Sequence, residues 1–355
     1  MKRPLLIGVA AAVIVSGGLV GGSAAAPRAT FTAALISDVG KFNDKSFNQS
    51  QLAGLERAKS QLGVNILPLQ SNSSSDYLPN LTTAVRRGAN IVMAAGYLLA
   101  PTLAQVASQF PTTDFTITDD SVKGPDFAKA KSIKNIEGLV YASNQSGCLV
   151  GYLAGEMVKA AGGKQVIGAV GGIKISGGRR LHRRVHDDYI VGYKYCANLA
   201  DPGIKVLVGY SQDFVAQDKC KTVAQNQIGQ GSQVEFQVAG LCGLGVLSAA
   251  DQAGIWGIGV DVDQYALAKH VLTSALKRVD VGIFDAVKQA KSGKFRGGSD
   301  LLFDLNNNGV GVGKISPKVP KAFVAKMDAL KAKIIAGKVK VPVAPGSPLT
   351  NLLPH

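Results

Sequence analysis

The sequence predicts an α/β protein of two lobes, each built on a doubly wound parallel sheet. Short β-prone apolar stretches alternate with segments of helical periodicity along most of the chain, the pattern of parallel strands covered by helices on both faces. The alternation runs in two series, and 355 residues exceed what one hydrophobic core usually organises. The 42 glycines lack the three-residue period of collagen and suit tight strand-to-helix turns. An apolar fraction of 46% against 18% charged residues excludes a disordered chain.

The first 26 residues stand apart. Met1-Lys2-Arg3-Pro4 is basic, Leu5 to Val15 is apolar, and Ser23-Ala24-Ala25-Ala26 precedes Pro27 with the small residues of a signal-peptidase site. A cleaved export signal over 1–26 is the expectation, with an uncleaved anchor over Leu5 to Ala26 as the alternative. The first series then starts with a strand at Thr32 to Ile36 and a helix carrying Leu52, Leu55 and Leu62 on one face. Ser46 and Gln49 have capping-box spacing, which puts the helix start at Phe47. Strands follow at Val64 to Pro68, Ile91 to Ala95 and Asp114 to Thr118, with helices at Tyr77 to Gly88 and Leu99 to Phe110.

The second series places helices at Cys148 to Ala161, Asp188 to Leu199, Ala216 to Gly229 and Leu244 to Ala253. Its strands are Val166 to Val170, Ile204 to Tyr210, Val234 to Val238 and Ile255 to Val260. Beyond Gln264, helices near Asp280 to Ser292 and Pro320 to Ala336 are too few for a third lobe and must complete the first two. The expected lobes are therefore 30–142 with 265–304, and 143–264 with 305–340, followed by a proline-rich tail over 341–355 read as loop. Repeated crossing between lobes makes a hinge, the geometry of a closing ligand trap.

Net charge is +15, which raises nucleic acid or an anionic surface as a partner. Four arginines crowd into positions 179–184, yet aromatics are not interleaved with them, and export argues against a nucleic-acid role. His182 and His186 have helical metal-ligand spacing, but the same arginines oppose a cation, so no metal is expected. Cys148, Cys196, Cys220 and Cys242 all lie in the exported part. Three disulfide pairings are open, with buried free thiols as the alternative.

Ligands of open α/β sheets bind beyond the carboxyl ends of the strands. There the chain places Asp38, then Asp44 to Asn48, Asp119 and Asp120, Phe214, the loop Gly240 to Gly245, and Asp261 with Asp263. A single aspartate at a strand end is ordinarily a cap or turn residue. Recurrence at several strand ends favours binding, because carboxylates accept paired hydrogen bonds from vicinal hydroxyls. Phe47 and Phe214, one per lobe, suit a flat ring held on both faces. A ring carrying a polyol describes a nucleoside. The glycine loop matches neither the dinucleotide fingerprint nor a Walker loop, and no G-x-S-x-G elbow is present, so neither a cofactor nor catalysis is expected. A sugar, amino acid or nucleotide on the same fold is the alternative ligand, and a secreted nucleoside-acting enzyme the remoter one.

Asp38-Val39-Gly40, Asp44 to Gln49, Phe236 to Gly240, Gly243-Leu244-Gly245, Gly259 to Gln264 and Ser274 to Asp280 together resemble the basic membrane protein (Bmp) family of extracytoplasmic nucleoside-binding proteins, over roughly Phe31 to Pro342. The resemblance implies a type I periplasmic-binding-protein fold, two lobes joined by a three-crossover hinge, and a monomer that captures purine nucleosides for an ABC importer. It also implies roles: Phe47 and Phe214 sandwich the base, Asp38 and Asn48 bond its edge or the sugar, and Asp261 and Lys277 fix the ribose. Asp119 or Asp120 matches a further family acid, with Asp120 the assigned position, and Gly240 and Gly243 offer backbone contacts. Three features depart from the family. The first cysteine is Cys148, so a lipobox anchor is not implied; the loop Ile173 to Arg184 is long and basic, with Val185 where an aromatic is usual; and four cysteines are unexpected.

Overall fold

The computed structural model describes Met1 and residues 30–128, 133–174 and 185–353, with the side chains of Val185, His186 and Asn351 outside that description. The chain divides into two compact units, Met1–Thr30 and Phe31–His355. The export-signal reading of 1–26, the arginine-rich stretch 179–184 and the His182/His186 pair fall outside the described residues.

The larger unit holds two six-stranded sheets. In the first, β1 (Thr32–Ile36), β2 (Asn65–Leu69), β3 (Ile91–Ala94), β4 (Asp114–Thr118), β5 (Ile136–Tyr141) and β11 (Asp300–Phe303) lie in the order β11-β5-β4-β3-β1-β2. In the second, β6 (Val166–Gly171), β7 (Lys205–Tyr210), β8 (Val234–Val238), β9 (Trp256–Asp261), β10 (Val271–Lys277) and β12 (Val310–Val312) lie in the order β12-β10-β9-β8-β6-β7. All pairings are parallel except β10 with β12. The helices α1 (Phe47–Leu62), α2 (Tyr77–Arg86), α3 (Ala100–Gln109), α4 (Ser143–Ala161), α5 (Val185–Ala200), α6 (Gln217–Gly229), α7 (Leu244–Gln252), α8 (Val279–Lys291) and α9 (Lys321–Ile335) cover the sheets. Parallel neighbours need such crossovers, and burial on both faces explains why β3, β5 and β8 are buried at every position.

The chain passes between the sheets three times: from β5 into α4, from β10 into α8, and from β11 to β12. The second passage corrects the expected boundary. Residues 265–277 belong with the second sheet, because β10 pairs in parallel with β9, and only α8 and β11 return to the first lobe. Helix α8 docks on α1 where Gly54 meets the backbone of Asp280, too close for any side chain at position 54.

Both disulfides lie in the second lobe. Cys148–Cys196 ties α4 to α5, whose close approach uses Gly147, Gly151 and Gly192 against facing backbone. Cys220–Cys242 ties the first turn of α6 to the glycine loop ahead of α7. The tail is also more ordered than a loop reading implies. Ala344 N and Ser347 Oγ donate to the buried Asp188 carboxylate, at 2.7 and 2.5 Å, Asn144 Nδ2 donates to Val341 O, and Leu349 is fully buried within a short 3-10 turn.

The start of α1 departs from its expected cap while keeping its expected first residue. The Ser46 hydroxyl leaves the helix for Asp261 Oδ2 (2.8 Å), and Gln49 Oε1 takes the Lys45 N–H. Asp44 caps instead: Oδ1 accepts from Ser46 N and Gln49 N, and Oδ2 from Asn48 N and Asn48 Nδ2. Asp44→Ala removes four hydrogen bonds from one turn and should lower stability by about 2 kcal/mol. Chemical denaturation reads that loss; a midpoint equal to the parent's would show that Ser46 can replace the aspartate.

Candidate ligand site

One cavity between the lobes collects the ends of β1, β3, β4, β8, β9 and β10 with α1, α5 and the loops carrying Phe214 and Gly240. The space between its lining atoms is about 600 Å³ with the open solvent at its mouth included. Asp38, Phe47, Asn48, Phe214, Gly240, Asp261 and Lys277 all line it. Two expected residues do not. Asp120 turns into the protein, fully buried, where its carboxylate takes Ser121 N, while the preceding Asp119 faces the cavity. Gly243 lies under the Gln237 side chain and begins the turn into α7; its need for glycine is packing.

Lys277 is the hub. Its ammonium, 4% exposed, lies 2.6 Å from Asp119 Oδ2 of the first lobe and 3.4 Å from Asp261 Oδ1 of the second, 4.7 Å over the Phe47 ring and 5.6 Å over that of Tyr189. Burial disfavours its charge, but Asp119 and Asp261 outweigh burial and hold it above the ordinary lysine value. Asp119 moves up because burial outweighs the lysine's pull. Both aspartates adopt left-handed backbone, φ 62° and 64°, as does Lys45 at 56°. Such φ values are uncommon for non-glycine residues and cluster where a site holds its side chains in place.

Asn48 plays a different part from the one the resemblance implies. Its amide donates to Asp38 Oδ1 (2.7 Å) and Asp44 Oδ2 (3.0 Å), and its carbonyl accepts from Asp38 N, so its polar atoms are engaged in positioning Asp38. Gly40 N also donates to Asp38 Oδ1, and a Cβ at Gly40 would come 2.8 Å from Asn48 Nδ2. Asp38 thereby presents Oδ2 to the cavity. Burial pushes its carboxyl up to about 7, against the donors Gly40 and Asn48, with Asp44 and Asp119 adding to the rise.

The second aromatic is seated as tightly. Phe214 packs onto Gly172, where any side chain would collide with the ring, and Phe214 O accepts from Cys242 N. The Cys220–Cys242 disulfide therefore staples the same loop pair that carries Phe214 and Gly240 to the cavity. Ser46 to Asp261, Lys45 O to Gln264 Nε2, and Asp119 to Lys277 join the lobes across the cleft, so this is a closed arrangement. Tyr97 and Tyr189 are lining residues that sequence reasoning missed. Tyr97 lies just beyond β3, where the strand-end rule points. Tyr189 is one helical turn beyond Val185, the place where an aromatic was looked for.

Two mostly parallel α/β lobes, three strands of connection between them and a polar, aromatic-lined cavity at their junction define a substrate-binding protein. The family described as ABC transporter substrate-binding protein PnrA-like (Bmp) matches residues 31–344, and the chain belongs to it. A CD4+ T-cell-stimulating antigen of Listeria monocytogenes is 32% identical, with 89% of each chain covered. The ABC transporter nucleoside-binding protein BmpA of Lactococcus lactis is 31% identical, over 90% of this chain and 92% of that one. Among solved structures, an ABC transporter solute-binding protein from Aeropyrum pernix superposes with a TM-score of 0.74 at 24% identity, covering 88% of this chain and 94% of the other. The fold is thus that of the periplasmic-binding proteins, and the family acts outside the cytoplasm. Among the described residues no helix is long and apolar enough to cross a membrane.

Proposed function

We propose that this protein captures a purine nucleoside between its lobes and delivers it to an ABC importer, binding rather than transforming its ligand. The observation that carries the reading is the placement of Phe47 and Phe214, one from each lobe, in one cavity with Asp38, Asp119, Asp261 and Lys277. Aromatic faces suit the flat base. Carboxylates in the same cavity suit the vicinal hydroxyls of ribose, with Lys277 as a donor beside them and Gly240 leaving its backbone open to close approach. The name of the Lactococcus relative agrees with this ligand class.

A nucleotide fits less well. Four aspartates and one lysine line the cavity, so a phosphate would enter against excess negative charge. Calorimetric titration with guanosine, its monophosphate, a panel of sugars and a panel of amino acids should show binding of the nucleoside alone. Tighter binding of a sugar or the monophosphate would replace this reading. In the same assay Phe47→Ala and Phe214→Ala should each weaken nucleoside binding at least tenfold, about 1.4 kcal/mol. Parental affinity in both variants would remove the sandwich.

A further inference from the structure

We propose that the Tyr97 hydroxyl donates a hydrogen bond to an acceptor on the edge of the ligand's flat ring, making Tyr97 a specificity-determining residue of the cavity. The inference deepens the nucleoside reading and rests on it. Tyr97 follows Gly96, whose φ of 101° turns the chain out of β3. A Cβ at Gly96 would lie 3.2 Å from Phe47 Cε1 and 3.6 Å from Asp38 Oδ2, so this backbone abuts both the stacking ring and the open carboxylate oxygen. Tyr97 lines the same cavity. Its hydroxyl is shielded from solvent, and among the described residues none is within hydrogen-bond reach. A buried O–H without a partner is rare in folded proteins, and on a residue that lines a ligand cavity we infer that a bound ligand supplies the acceptor.

Three polar atoms of the first lobe are left for a ligand in this way: Asp38 Oδ2, Asp119 Oδ1 and the Tyr97 hydroxyl. The acids of the second lobe are already engaged, since Asp261 Oδ1 accepts from Tyr189 and Oδ2 from Ser46. Ring recognition is therefore a first-lobe task. Burial, with Asp38, Asp119 and Asp187 nearby, holds the Tyr97 phenol above its ordinary value, so it keeps its proton and remains a donor. An acceptor oxygen on Asp38 beside a donor on Tyr97 matches a heteroaromatic edge carrying an N–H next to a carbonyl or ring-nitrogen acceptor. A 6-oxopurine has this pattern, with N1–H beside O6 and N7 on the same side.

The test compares the full chain with Tyr97→Phe, which keeps the ring and deletes the hydroxyl, by calorimetry against inosine, 7-deazainosine and purine riboside. The last two lack N7 and O6 in turn. Tyr97→Phe should weaken inosine binding roughly tenfold and leave unchanged the affinity for whichever analogue lacks the atom being read. An equal loss for all three ligands, or no loss for any, overturns the inference and leaves the nucleoside reading standing. If the parent protein binds none of the three, the nucleoside reading falls and this inference falls with it.

Discussion

Replacing Lys277 with methionine should lower the unfolding free energy by about 3–5 kcal/mol at neutral pH and abolish ligand binding. The ammonium is 4% exposed and is the cation between two carboxylates that come from opposite lobes. Without it Asp119, 7% exposed at the side chain, retains one oxygen with no partner among the described residues and loses the donor on the other. Two buried negative charges then face each other across the cleft. The sign with pH follows from Asp119, whose carboxyl burial already raises and Lys277 pulls down. Removing the lysine lifts it further, so the folded variant takes up a proton that the unfolded chain does not hold. The variant's deficit is therefore greatest above that raised value and shrinks as pH falls. Urea unfolding at several pH values measures this, and adding Asp119→Asn to Lys277→Met should recover part of the loss. A single variant as stable as the parent would mean that the lysine is no more than a ligand group.

Much of this site was legible because parallel sheets put their chemistry at strand ends, a position set by local pattern. Asp38, Phe47, Phe214, Gly240 and Asp261 all follow recognisable strands or open recognisable helices. The errors arose where tertiary contacts override local rules. Thr118 ends β4 and the left-handed backbone of Asp119 turns the chain there; the choice of Asp120 over its neighbour rested on the family resemblance, whereas Asp119 is the one of the two that lines the cavity. Ser46 carries the sequence of a cap, yet its hydroxyl is drawn to a partner 215 residues away, and the nearer Asp44 takes the role. Strand β5 was missed because Glu137 and Gly138 interrupt its apolar run, although both are buried or packed in the sheet. Residues 265–277 were expected in the first lobe and β10 was not foreseen as a strand, since its sheet is decided by pairing with β9 rather than by anything in Val271 to Lys277. Pairing of the four cysteines depended on α4 lying against α5 and on the glycine loop lying against α6, and spacing alone does not encode that.

Glu235→Gln should stabilise the protein at pH 8 and have little effect at pH 5. Glu235 sits in the middle of β8, fully buried, with neither carboxylate oxygen hydrogen-bonded among the described residues. The carboxyl fits only because Gly168 on the neighbouring strand has no side chain; its oxygens and Gln227 Oε1 crowd the place where a Cβ would stand. Burial pushes Glu235 from 4.5 up to about 8, and Ser232, whose hydroxyl donates to Val234 O, opposes that only slightly. Because the folded value exceeds the unfolded one, folding holds a proton that the unfolded chain has released. That stability is fully present below about pH 4.5 and is lost as pH rises through about 8, a decline on the order of 4 kcal/mol from this group. Asp38, Glu137 and Asp188, each raised to about 7 by burial, slope the same way, so the parent should become steadily less stable from mildly acidic to mildly basic pH. Glutamine keeps the shape, never ionises and can donate its amide toward Gln227 Oε1. The difference between the two proteins isolates Glu235: denaturation midpoints that converge at pH 5 and separate at pH 8 in favour of the variant bear it out, whereas parallel pH profiles would show that the carboxylate reaches water or a partner when it ionises.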